Sequence, residues 1–167
     1  VRSVQEIVRF PSVEAPAAGP GAPFGEAVRG ALENALNLGK SFGFETTNLD
    51  GYAGCIDYGC GEEMLGVVAH VDVVPEGEGW IHPPYAAEIA DGRIYGRGTM
   101  DDKGPAVCAI YALAAIKAAG IPMRRRVRII LGTNEETGWG CMDHYRKVAE
   151  IPTLTFSPLS LIHISEP

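Results

Sequence analysis

Met64-Leu-Gly-Val-Val-Ala-His70-Val-Asp72-Val-Val-Pro75 is an apolar run that ends in a histidine and a carboxylate. A run this short and apolar, with glycine-rich sequence on both sides, predicts a strand buried on both faces of a parallel or mixed sheet. In open α/β sheets ligands bind beyond the carboxyl ends of the strands, where His70 falls. Residues two apart on a strand face the same way, so His70 and Asp72 are expected to share a space. That arrangement suits a metal-ligating imidazole oriented by a carboxylate. A strand-end histidine beside an ordinary turn aspartate fits the same tripeptide.

Towards the amino end, Val4 to Phe10 reads as a short amphipathic helix stopped by Pro11. Ala15 to Pro23, rich in Ala, Gly and Pro, is expected to be an exposed, mobile loop. Apolar residues recur at helical spacing from Gly25 to Leu38. Phe44 to Leu49 and Tyr52 to Tyr58 read as strands joined at Asp50-Gly51. Towards the carboxyl end, Ala87 to Tyr95 reads as a hairpin around Asp91-Gly92. Ala106 to Ala119 reads as a helix apolar almost all round, hence interior. Val127 to Leu131 is a second buried strand, Asp143 to Val148 a helix and Pro152 to Phe156 a last strand. This alternation predicts an α/β fold, a three-layer α/β/α domain with a mixed, largely parallel sheet. The 25–38 and 106–119 helices should pack on a sheet that holds the 64–69 and 127–131 strands.

The chain of 167 residues is long enough for one domain with a real core. Its hydrophobic share of 46% and charged share of 21% are those of a soluble globular protein. A net charge of −7 and a pI near 5.1 argue against nucleic-acid and anionic-membrane partners. The Arg124-Arg125-Arg126 cluster with Arg128 is too short to reverse this and reads as a solvated strand entrance. Cys55, Cys60, Cys108 and Cys141 contain no Cys-x-x-Cys pair and read as reduced thiols of a cytoplasmic protein. No signal peptide is visible, and no apolar stretch reaches the roughly 20 residues a bilayer needs.

Two further stretches carry chemistry. In Gly96-Arg-Gly-Thr-Met-Asp101-Asp102-Lys-Gly104 the glycines allow close backbone approach, and the paired aspartates concentrate negative charge. Paired carboxylates repel unless a cation or a buried proton lies between them, and a metal is the simpler answer. Asp102 also has the position of a helix cap, with Pro105 in the first turn. Val127 to Leu131 repeats the pattern of the first strand and runs into Gly132-Thr-Asn-Glu135-Glu136-Thr-Gly138. Two strands and a helix start thus deliver His70, Asp72, Asp101, Glu135 and Glu136 to one edge of the sheet.

In this order, the motifs around His70-Val-Asp72, Asp101-Asp102-Lys-Gly104 and Thr133-Asn-Glu135-Glu136-Thr-Gly138-Trp139 resemble the metal-site motifs of the M20 family of zinc peptidases. Within it they are most similar to the dipeptidase branch, the bacterial carnosinase-like dipeptidases. The resemblance covers residues 1–158. It implies that His70 binds one zinc, that Glu136 binds the other and that Asp101 bridges the two. It also implies that Asp72 orients His70 and that Glu135 is the general base. Two ions about 3.5–4 Å apart can share a carboxylate, polarise a peptide carbonyl and acidify a water. A carboxylate kept off the metal can then carry the proton to the leaving amine. The implied substrate is a dipeptide or short peptide, with N-acyl amino acids as the alternative.

The chain also departs from the family pattern. A further aspartate ligand follows the segment found here as Phe156-Ser157-Pro158, where this chain has Leu159. A second histidine ligand belongs far downstream, after a lid or dimerisation domain that this chain lacks. The tail Leu159-Ser-Leu-Ile-His-Ile-Ser-Glu-Pro167 is similar to translated sequencing-adapter read-through. It is therefore expected to be foreign sequence joined to a truncated gene, and residues 1–167 alone are expected to be inactive. The other reading makes it a short strand with His163 as a replacement ligand. Substrate choice and oligomeric state are not legible in the sequence.

Overall fold

β3 (Met64–His70) lies at the centre of the domain, as its unbroken apolar composition requires. The computed structural model describes residues 1–159; residues 160–167, with His163 and all but the first residue of the tail expected to be foreign, lie outside the described residues. Before β3 come α1 (Arg2–Val8), α2 (Glu26–Ser41), β1 (Glu45–Leu49) and β2 (Ala53–Tyr58). After it come β4 (Glu88–Ala90), β5 (Arg93–Tyr95), α3 (Lys103–Ala118), β6 (Arg126–Gly132), α4 (Gly140–Val148) and β7 (Leu154–Phe156).

The main sheet has the order β1-β2-β6-β3-β7, and β4 and β5 form a separate hairpin. β3 pairs in parallel with β6 and β7, whereas β2 is antiparallel to both β1 and β6. Four of the five strands therefore point one way and β2 opposes them. β3 and β6 end in register at His70 and Gly132, so the residues after both strands emerge at one edge. Parallel neighbours need a crossover, and α3 lies in the connection that supplies it.

Sequence periodicity explains the layers. In α2 the buried residues Val28, Ala31, Leu32, Ala35, Leu36 and Gly39 fall on one stripe. That stripe, with Ile7 of α1 and Val107, Ile110 and Leu113 of α3, covers the sheet face formed by Ile56, Val67, Ala69 and Ile129. Ala53, Cys55 and Ile130 of the opposite face pack with Tyr145 of α4. The expected three layers are present. At the β1–β2 turn both Asp50 and Gly51 have positive φ, and a Cβ at Gly51 would meet the Gly21 carbonyl oxygen at 2.0 Å. Only glycine fits there.

α3 differs from expectation. It is not interior: Cys108, Tyr111 and Ala112 are exposed. With Leu65, Tyr95 and Phe156, Cys108 and Ala112 line an open apolar groove of about 1010 Å³. Apolar residues on every side of a helix say that it meets apolar material, not that this stretch supplies it all. The arginine cluster is also more engaged than expected. Arg125 pairs with Glu63, Arg126 with Glu150 and Arg128 with Asp57. All four cysteines are free thiols. Among the described residues no helix is long and apolar enough to cross a membrane.

Candidate metal centre

Three segments meet at the carboxyl edge of the sheet. β3 and the residues after it bring His70 and Asp72, the turn before α3 brings Asp101, and the loop after β6 brings Glu135 and Glu136. One ligand atom each from His70, Asp101 and Glu136 lie within 4.8 Å of one another. His70 Nε2 is 3.0 Å from Asp101 Oδ1 and 3.8 Å from Glu135 Oε2. Asp101 is 58% exposed and Glu135 26%, so both carboxylates face the open side, whereas His70 sits below them.

Asp72 stands behind the imidazole. His70 Nδ1 lies 3.0 Å from the Asp72 carbonyl oxygen and 3.4 Å from its Oδ1. The carbonyl therefore accepts the Nδ1 proton, with the carboxylate as a close charge, and Nε2 is left to face the site. Asp72 Oδ2 accepts the Glu136 amide N–H at 3.0 Å, which ties the β6 loop to the β3 loop. Burial alone would raise Asp72, but the close approach and charge of His70 and the amides of Glu136 and Glu135 hold it below the usual carboxylate range.

Burial opposes a charge on His70. The hydrogen bond and charge of Asp72, with the charges of Asp102 and Glu135, outweigh it and push the imidazole up to about 9. Burial raises Glu136, with Asp101 and Glu135 adding to the effect against the pull of His70. An imidazole ringed by carboxylates that repel one another can serve as the donor set of a divalent cation. The residues present fit such an ion.

Asp102 is a part of the centre that the sequence reading assigned differently. It stands at the cap position of α3 but makes no side-chain cap bond. Its Oδ2 instead accepts the His70 backbone N–H at 3.1 Å, while Oδ1 is buried without a partner. Burial lifts its carboxyl to about 7. The Asp101–Asp102 peptide is cis. Lys103, which the sequence reading left without a role, is completely buried, and burial brings it down to about 7. A charged residue directly after two aspartates, at the start of an apolar helix, was the available signal.

Leu159 lies at the site. With His70, Glu135, Trp139 and Ser157 it lines a cavity of about 20 Å³, and it offers no donor there. On the other side Asp72, Glu136 and Thr137 border an open space of about 560 Å³ walled by Glu14, Pro16, Phe24 and Pro75.

Comparison with known proteins bears on this geometry. The model of peptidase family M20/M25/M40 matches residues 66–167. "Putative dipeptidase YtjP" of Bacillus subtilis (strain 168) is 51% identical over 159 residues, covering 95% of this chain and 34% of that protein. The Beta-Ala-Xaa dipeptidase of Lactobacillus delbrueckii subsp. lactis is 44% identical over 137 residues, covering 81% of this chain and 29% of that protein. Human carnosine dipeptidase 1 superposes with a TM-score of 0.72 at 22% identity, over 87% of this chain and 34% of the human one. The chain thus spans about a third of the length of the curated relatives it matches.

Proposed function

The chain belongs to peptidase family M20/M25/M40, and from that premise we propose that it carries most of the metal-binding half of a dinuclear zinc dipeptidase. The observation that supports this reading is the meeting of His70, Asp101 and Glu136 within 4.8 Å, with Glu135 beside them on the exposed side. In it His70 would hold one ion and Glu136 the other, with Asp101, the most exposed of the three, available to both. When bound, the zinc pair polarises the scissile carbonyl and acidifies water.

The chain's own residues do the rest. Asp72 fixes the imidazole by carbonyl and carboxylate together, so that Nε2 keeps one direction. The Asp72 bond to the Glu136 amide sets the height of the Glu135-Glu136 pair above the sheet. Glu135 takes the proton of the attacking water and delivers it to the amine that leaves. The substrate in this reading is a dipeptide or short peptide, in keeping with the names of the relatives. A cytoplasmic location belongs to the same reading, with four unpaired thiols in its support.

The test is Glu135→Gln in the full-length protein, with zinc content and hydrolysis measured side by side. Loss of a general base lowers kcat by about 10²- to 10⁴-fold. Zinc content should stay at the parental level, because Glu135 is not among the ligands. Parental turnover by the variant would refute the assignment. A parent inert towards dipeptides but active on N-acyl amino acids would replace the substrate class and keep the chemistry.

A further inference from the structure

Residues Phe10 to Glu14 lie outside every motif considered so far, yet they touch all three segments that deliver the site. Lys103 Nζ donates to the Phe10 carbonyl at 2.6 Å, one residue past the Asp101-Asp102 pair. Ser12 Oγ donates to the Val71 carbonyl at 2.6 Å, and the Ser12 carbonyl accepts the Val73 N–H at 3.0 Å. Those two bonds flank Asp72. Glu14 Oε2 accepts from Asn134 Nδ2 at 3.0 Å and from Thr137 Oγ1, and those two residues flank Glu135 and Glu136. Ser12 and Lys103 are both fully buried.

We propose that Phe10–Glu14 is a strap whose bonds to Lys103, Val71, Val73, Asn134 and Thr137 set the spacing of His70, Asp101 and Glu136. Ser12, Glu14 and Lys103 are then positioning residues that act on the metal through the segments they hold. The inference rests on the metal-centre reading given above. The β3–β6 ladder, which ends at His70 and Gly132, and the Val71 N–H bond to the Gly132 carbonyl already join two of the segments, and beyond these the three share few other direct ties. The Asp72 bond to the Glu136 amide joins the β3 and β6 loops, and the Asp102 bond to the His70 amide joins the α3 start to β3. Among the described residues the strap bonds to all three. A hydrogen bond in a buried setting has a narrow length range, so a short segment pinned at several points fixes separations within fractions of an ångström. Ligand sets are sensitive to errors of that size.

The experiment compares full-length Ser12→Ala, Glu14→Ala, Glu14→Gln and Lys103→Met with the parent. The control is Ser41→Ala, which removes an exposed Ser41 to Leu38 bond on α2. Each protein is titrated with Co(II), followed by its visible absorption, and zinc affinity is read by chelator competition. The melting temperature of each metal-free form is also recorded. Ser12→Ala, Glu14→Ala and Lys103→Met should bind Co(II) about 10- to 100-fold more weakly, the range seen when partners that orient ligands are removed. Glu14→Gln keeps an acceptor for Asn134 and Thr137 and should remain within about twofold of the parent, a rescue that a bulk loss of stability would not give. Ser41→Ala should bind as the parent does. Parental affinity in the folded Ser12→Ala and Glu14→Ala proteins would overturn the strap while leaving the metal centre in place. Should Lys103→Met fail to fold, those two and the Glu14→Gln rescue decide the matter. A parent that binds no Co(II) would overturn the metal-centre reading and the strap with it.

Discussion

Replacing Asp72 by asparagine exchanges one heavy atom, a carboxylate oxygen for an amide nitrogen, in a residue that is 1% exposed. The amide oxygen can keep the Glu136 N–H bond, now at 3.0 Å, only if the new NH2 group takes the place of Oδ1. That group then faces His70 Nδ1 at about the present 3.4 Å, donor against donor. The opposite orientation spares the ring and sets two donors against each other at Glu136. Either way one buried N–H group, of the new amide or of Glu136, is left without an acceptor, at a cost of about 1–3 kcal/mol. With 1.4 kcal/mol per factor of ten, the penalty is a loss of roughly 5- to 140-fold in zinc affinity. The bond from Nδ1 to the Asp72 carbonyl belongs to the backbone and survives, which keeps the loss from being larger. The assay is chelator competition on parent and variant at one pH and one ionic strength, with the melting temperature as a check of the fold. A folded Asp72→Asn protein with parental affinity would refute the orienting role.

Three further outcomes are expected. Metal-free His70 is protonated below about 9, and a metal on Nε2 must displace that proton, so apparent affinity should rise about tenfold per pH unit between pH 6 and 8; a flat profile would mean the ring binds no metal. A thiol reagent applied to the native protein at neutral pH should modify Cys60 and Cys108, which are exposed, and spare buried Cys141 and Cys55, whose burial pushes it up to about 11; mass spectrometry reads the sites, and rapid labelling of Cys55 would contradict the packing of β2. In residues 1–167, Leu159→Asp should raise zinc affinity at least about tenfold by adding a donor beside His70, and an unchanged affinity would mean that position 159 does not face the site.

The strand that ends in His70 was legible because burial on both faces writes an unbroken apolar run, and the ionisable residues after it mark where that burial stops. The same rule exposed Glu135 and Glu136 after β6. Asp102 was misassigned for a reason that is equally physical. A cap and a ligand support ask for the same residue at the same place, and only the direction of the carboxylate, towards the His70 amide, separates them. Ser12 and Glu14 left no pattern, since bonds between residues 12–14 and residues 71–137 have no period in sequence. The exposed side of α3 was missed because composition reports what a helix is made of and not what lies beside it. Strand order was also beyond reach: β2 and β3 are consecutive in the chain, yet β6 lies between them.

That insertion has a consequence for assembly. β2 and β3 have no pairing with each other, and each waits for Arg126–Gly132, a strand made only after β4, β5 and α3. Contacts across such separations form late, since loop closure precedes the reward of pairing. The centre of the sheet and the cluster of His70, Asp101 and Glu136 therefore both depend on β6 being in place. Of that cluster only His70 and Asp101 precede β6 in the chain. After it, Glu136 joins them, and metal held by the three residues together would bind the newest strand to the oldest part of the sheet, slowing its departure rather than hastening its entry.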